Sequence, residues 1–365
     1  MNKLIRPPQP LCAKRMLFQR RKLRHKLRKY FGPRTRLRDR LESRRPISTR
    51  FLKSITGVRA DAAPRHIAIY AHYNPKACIS AMVLKQLEAI RAAGFEIMLV
   101  SMSQIDRQED LAALRPLVRS IVVRKSFGRD FGAWHDIIQS NLAVMRGAEE
   151  ILLVNDSLLG PFAPIDPLFE SMRQGGDGVF GLTDSPDIEP HLQSYFLLFT
   201  GQIAISALLD FMDCLQLSFD KTTMIQRGEL GLARFLAARN VPMNALYPFD
   251  EVEEKARDVD MYLETLLACY PSLRGQYVTT DSFGADFDAV RSNRLQIKFH
   301  LLGLALNPTH YYWRVLIKEF GFPFIKTNLI TENAARIPDI ADWPDVIPHD
   351  GPVGRHEAEQ HLGIK

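Results

Sequence analysis

Asn155-Asp156-Ser157 is the stretch of this chain best equipped for chemistry. It cuts off an apolar run over residues 151–154. An apolar run of that length, flanked by turn residues, suits a buried strand of a parallel sheet. In open α/β sheets ligands bind outside the carboxyl ends of the strands, which is where the triplet falls. A carboxylate there can hold a divalent cation with hard oxygen ligands, and the cation can neutralise a diphosphate. A literal Asp-Phe-Asp stands at residues 286–288. It sits in a polar turn with no glycine turn and helix before it, so it ranks second as a metal site.

The elements that position the triplet follow from periodicity. Gly128-Arg129-Asp130 forms a turn before a helix that carries Phe131, Trp134, Ile137, Ile138, Leu142 and Met145 at helical spacing. Upstream, strands are expected at 66–71, 95–100 and 120–123, separated by helices over 79–93 and 110–118. Strand–helix alternation of this kind predicts a parallel sheet with right-handed crossovers. Downstream, strands are expected at 177–182 and 195–199, with Thr183-Asp184-Ser185-Pro186 closing the former. Helices are expected over 166–173, 203–217, from about 229 to 238, and over 253–268. A strand at 276–279 and ordered segments at 296–306, 313–320 and 322–326 follow. No Gly-x-Gly-x-x-Gly follows the first strand and no Walker motif occurs, which argues against dinucleotide-binding and P-loop domains.

Charge divides the chain of 365 residues. It has 48 Lys/Arg and 41 Asp/Glu, a net of +7. Residues 1–59 hold 20 of the basic and 2 of the acidic residues, so the remainder carries a net charge of −11. The division predicts a basic arm over 1–59, a body over 60–330 and a loosely packed tail over 331–365. Apolar residues among the arginines of 11–31 make one narrow stripe. Such an arm fits an anionic membrane surface through residues 11–45, or stays solvated and disordered. Nucleic acid is not expected as a partner, because the acidic body would repel it. The four cysteines show no CxxC spacing and read as reduced thiols. No window is long and apolar enough to cross a membrane, and no secretory segment follows the first basic residues.

Taken together, Gly128-Arg129-Asp130, Asn155-Asp156-Ser157-x-x-Gly160-Pro161, the segment His191-Leu192-Gln193-Ser194-Tyr195-Phe196, Glu229, and Gly321 to Lys326 resemble the rhamnan synthesis protein F family. The resemblance runs over about residues 66–330. It implies a GT-A-like α/β fold, with a mostly parallel sheet flanked by helices. It also implies sugar transfer from a nucleotide-diphosphosugar to a cell-surface polysaccharide or lipid-linked acceptor. Asp156 would hold Mn or Mg, and Glu229 would be the base. Asn155 and Ser157 would orient the cation or touch the ribose. Arg129 would pair with phosphate, Asp130 would accept from the donor, and Lys326 would contact a phosphate. Asn74 and Ser101 would line the nucleotide pocket, and Gly128, His191 and Gln193 complete the expected donor site. The expected location is the cytoplasmic face of the plasma membrane.

The residues leave alternatives. Asp156 can form an Asx turn, Asp130 can cap its helix, and Glu229 can be a first-turn acid favoured by the helix dipole. Asn155 stands where a second carboxylate would serve a metal, which fits an inactive transferase-like domain that binds glycan or scaffolds partner enzymes. Sugar-phosphate transfer is a third reading.

Overall fold

The computed structural model describes residues 33–58, 64–186, 188–257, 307–334 and 336–363. The apolar stripe of residues 11–31 and all of 258–306, including the strand at 276–279 and the Asp-Phe-Asp at 286–288, lie outside them.

A nine-stranded sheet runs through the body. Four adjacent strands, β2 (His66–His72), β3 (Glu96–Ser101), β4 (Ser120–Arg124) and β5 (Glu150–Asn155), run parallel in the order β4-β3-β2-β5. Their apolar runs are buried on both faces, as strands between two helical layers must be. β2 sends Ala68 and Tyr70 into one core and Ile67, Ile69 and Ala71 into the other. Helix Ala81–Ala92 covers the first face with Met82, Val83, Leu87 and Ile90, and Ser80 caps it by accepting from the Val83 N–H. Helix Arg129–Ser140 covers the second face with Phe131, Trp134, Ile137 and Ile138. Burying one such side chain contributes about 1.5–3 kcal/mol.

Beyond β5 the sheet continues through β9 (Phe196–Thr200), antiparallel to β5, then β7 (Gly178–Ser185) and β10 (Met243–Tyr247). The two-residue β8 (His191–Leu192) pairs with β7. The result is a mixed α/β domain with a mostly parallel central sheet flanked by helices, compatible with a GT-A-like fold. β7 extends through Thr183-Asp184-Ser185, which the sequence reading placed in a closing turn.

Two expected boundaries shift. The folded body starts before residue 60, because β1 (Phe51–Thr56) joins the sheet antiparallel to β4. Just before it, Arg50 is buried, and its NH1 donates to Asp136 Oδ1 at 2.7 Å. Helix Pro33–Ser43 also docks: Asp39 accepts from Ser218 Oγ (2.7 Å) and from the Phe219 N–H (3.1 Å). The C-terminal segment is not loosely packed. Ile337, Trp343, Val353 and Ala358 are buried in the first core. Helix Arg355–Leu362 lies on helix Ala81–Ala92, tied by Lys85 to Glu357 at 2.7 Å. Proline and aspartate content alone hid this packing, since the apolar residues between them follow no period.

Candidate functional site

The chain runs β2, β3, β4 outward and then crosses back to place β5 on the other side of β2. A crevice forms where such a strand order reverses, at the carboxyl ends of the two strands. Tyr73 follows β2 there and Asn155-Asp156-Ser157 closes β5. Asp156 Oδ2 accepts from the Tyr73 N–H at 2.6 Å, which joins the two strand ends directly.

Asn155 Nδ2 donates to Asp130 Oδ2 at 2.8 Å, tying the triplet to the first turn of helix Arg129–Ser140. Asn155 Oδ1 accepts from the Ser157 N–H (3.1 Å) and Ser157 Oγ (2.5 Å), an Asx turn that fixes the triplet's shape. The helix begins where the backbone is left-handed, with φ of +80° at Gly128 and +52° at Arg129. A non-glycine residue at positive φ needs its surroundings to hold it. Here Arg124 does so in part, its NH2 donating to the Phe127 carbonyl at 2.8 Å. Arg129 is exposed beside the crevice.

Lys326 reaches the same place from 169 residues later in the chain. A short ladder carries it there. β6 (Leu158–Leu159) pairs antiparallel with β11 (Ile325–Lys326), placing Lys326 opposite Leu158. The Thr327 N–H also donates to the Ser157 carbonyl at 2.9 Å. Gly160, at φ +126°, lets the segments close, since a Cβ there would lie 2.5 Å from the Pro323 carbonyl oxygen. The ammonium has two contacts: Nζ donates to Ser157 Oγ at 2.9 Å and lies 4.2 Å from the centre of the Tyr195 ring.

Glu229 enters from the opposite side. A π turn, Ile225–Glu229, interrupts the helical stretch between Lys221 and Ala238, where a helix start near 229 was expected. Gly228 allows it, because a Cβ there would fall 2.6 Å from the Phe131 ring. Single π turns inside helices occur often at functional sites. Glu229 Oε1 accepts from the Ser194 N–H at 2.9 Å and stands 3.9 Å from His191 Nε2, while His191 Nδ1 lies 2.8 Å from the Glu189 carbonyl.

The fields of these groups overlap. Burial pushes Asp156 up to about 8; Asp130 beside it adds to the rise, and the Tyr73 N–H opposes it. Burial also raises Asp130, against the pull of Lys326, Arg129 and the Asn155 hydrogen bond. Burial lowers Lys326 to about 8, with Glu229, Asp130 and Asp156 opposing the fall.

The remaining expected residues serve the walls. Asn74 is buried; its N–H donates to Ser103 Oγ and its Oδ1 accepts from the Lys76 N–H, so it shapes its own loop. Ser101 Oγ bridges His72 Nδ1 (2.9 Å) and the Ser103 carbonyl (2.8 Å). Gln193 turns inward to Thr183 Oγ1 at 2.7 Å. The structure thus brings Asp130, Asn155, Asp156, Ser157, Glu229 and Lys326 together, with His191 behind Glu229. It leaves Asn74, Ser101 and Gln193 engaged within the protein. Sequence reasoning missed the Tyr73 N–H and the Tyr195 ring, because a backbone donor and a core aromatic carry no signature. It also missed Asp184, which burial raises to about 6 and whose Oδ1 accepts from the Phe249 N–H.

A divalent cation takes several hard oxygen ligands. Among the described residues no three His, Cys, Asp or Glu side chains gather as such a set. Asp156 already accepts from Tyr73, Asp130 is turned to the Asn155 amide, and an ammonium stands among the carboxylates. That donor set is a poor fit for a resident divalent cation.

Residues 97–260 match the rhamnan synthesis protein F family. The match takes in Asp130, the triplet, His191 and Glu229, and stops short of Lys326. The family's name ties this region to polysaccharide synthesis. The virulence protein VirA of Vibrio anguillarum is 27% identical over 228 residues, covering 60% of this chain and 64% of that protein. The chain therefore spans less than two thirds of that relative's length. The uncharacterized protein y4gN of Sinorhizobium fredii is 22% identical over 278 residues, 72% of this chain and 70% of its own.

Proposed function

We propose that this chain is a glycosyltransferase that moves a sugar from a nucleotide-diphosphosugar to a polysaccharide or lipid-linked acceptor, with rhamnose as the sugar the family's name suggests. One observation carries the reading: the Lys326 ammonium, three carboxylates and the Asn155-Ser157 turn meet at the switch point of an α/β sheet, and all of them except Lys326 lie inside the family-matched region. The acceptor hydroxyl gives its proton to Glu229 as its oxygen bonds to the anomeric carbon. The bond from that carbon to the phosphate oxygen breaks, and the nucleoside diphosphate leaves with the electron pair. Positive groups poised at the leaving oxygen supply the electrostatic stabilisation. His191, 3.9 Å from Glu229, helps set the orientation of that base.

A thermal-shift screen of the full chain against UDP-, dTDP- and GDP-sugars tests this. A ligand at about 100 times its dissociation constant stabilises by about 2.7 kcal/mol. A shift with one nucleotide class, and product formation lost in Glu229→Gln, is the expected result. No shift with any of them, in folded protein, moves the reading to an inactive domain that binds glycan or scaffolds partner enzymes. The observation behind that second reading is Asn155, whose amide faces Asp130 where a carboxylate would serve a metal.

The basic N-terminal residues suit an anionic membrane surface on the cytoplasmic side. No helix among the described residues is long and apolar enough to cross a membrane. Binding to phosphatidylserine vesicles that weakens as salt rises is expected. Binding that ignores salt counts against an electrostatic contact.

A further inference from the structure

We propose that the Lys326 ammonium, and not a divalent cation, neutralises the departing diphosphate, so that transfer by this chain is independent of divalent metal. The inference rests on the glycosyl-transfer reading and deepens it.

Position is the first argument. In a metal-dependent site the cation would sit against the polar triplet at the end of β5. Lys326 Nζ stands there, 2.9 Å from Ser157 Oγ. Its backbone is fixed by the β6–β11 ladder and the Thr327 to Ser157 hydrogen bond, so the charge is held by the fold and not by a floppy side chain. The Tyr195 ring beneath it, 4.2 Å from Nζ, adds a cation–π contact. A group held in place before the reaction loses little by reorganising during it.

Unused capacity is the second argument. An ammonium has three donors, and Ser157 takes one of them. Among the described residues no carboxylate pairs directly with Nζ; Asp130, Asp156 and Glu229 act on it only through their fields. A half-buried ammonium without a direct ion pair is costly. An incoming diphosphate offers oxygens for the remaining donors.

Charge is the third. Asp156, the expected metal ligand, spends Oδ2 on the Tyr73 N–H, and Asn155 presents an amide where a metal would want an anion. A dication brought to Asp156 would meet the ammonium at close quarters. The step balances without it. The acceptor proton goes to Glu229, the new C–O bond forms as the C–O bond to phosphate breaks, and the charge gained by the diphosphate is met at Lys326 Nζ.

The test is binding of UDP, dTDP and GDP to the full chain by calorimetry, with EDTA and then with added Mn²⁺ or Mg²⁺. One of the three is expected to bind equally well, within about twofold, in both conditions. Lys326→Met should weaken it at least tenfold with no rescue by metal, and Lys326→Arg should retain part of the affinity. Binding that vanishes in EDTA and returns with metal overturns the proposal while leaving the transferase reading intact. Binding of none of the three under either condition overturns both. Should Lys326→Met fail to fold, the wild-type comparison with and without EDTA still decides.

Discussion

Asp136→Asn should cost this protein about 3–5 kcal/mol of stability, the range for breaking a buried ion pair by removing one partner. Asp136 is fully buried between Arg124, also fully buried, and Arg50, 3% exposed. Its Oδ1 accepts from Arg50 NH1 at 2.7 Å and its Oδ2 from Arg124 NH2 (2.7 Å) and Nε (3.1 Å). Asparagine keeps the shape and one acceptor. It turns an amide N–H₂ toward the other guanidinium, which stays buried and uncompensated. Loss of charge-assisted hydrogen bonds and burial of an unpaired cation act in the same direction. The consequence reaches the site, because Arg124 also holds the Phe127 carbonyl ahead of Asp130. Urea unfolding of both proteins, compared by midpoint at equal slope, gives the difference. A loss under about 1 kcal/mol would refute the reasoning and would mean that Arg50 and residues 51–56 are not an integral part of the body. The pH dependence is a second check. Burial alone would raise Asp136, but the His135 hydrogen bond and the charges of Arg124 and Arg50 outweigh it and hold the carboxyl below its ordinary value. Its stabilisation is therefore present above about pH 4, the unfolded value, and is lost as pH falls through the lower folded value. The variant should lack that acid-side loss.

Gly228→Ala would drive a methyl into the Phe131 ring, 2.6 Å away, and should cost about 1–3 kcal/mol while displacing Glu229 and cutting the proposed transfer activity; an unchanged melting temperature and rate would show that the π turn has slack. Asp184 runs opposite to Asp136, since burial raises it to about 6. Stability should be fully present below about pH 4 and fall by up to about 3 kcal/mol as pH rises to about 6. Asp184→Asn, which keeps an acceptor for the Phe249 N–H, should flatten that slope in pH-dependent melting. Lys85→Ala removes the tie from helix Ala81–Ala92 to Glu357; this half-exposed pair should be worth under about 1 kcal/mol in urea unfolding, so the C-terminal packing should survive it.

The parallel core was legible because each of its strands and helices announces itself locally. A run such as 151–154 is apolar throughout, and helix Arg129–Ser140 repeats its apolar residues every turn. The triplet's place at the end of a strand followed from those runs. β1 was hidden by its place at the end of the basic residues 1–59, which read as solvated until Arg50 is seen to pair with Asp136 in the interior. The buried tail was hidden for a related reason: Ile337, Trp343 and Val353 pack from irregular chain.

The amino-acid sequence by itself determined the alternation of strands and helices, their buried faces and the polar strand end, because period and turn chemistry act over a few residues. Only the tertiary structure decided what meets that strand end. The two-residue ladder that brings Lys326 to Ser157, the π turn that aims Glu229 at Ser194, and the Tyr73 N–H on Asp156 all depend on groups far apart in the chain. Such contacts leave no local pattern, since each partner alone is an ordinary polar residue and gains its role when the fold removes water from between them.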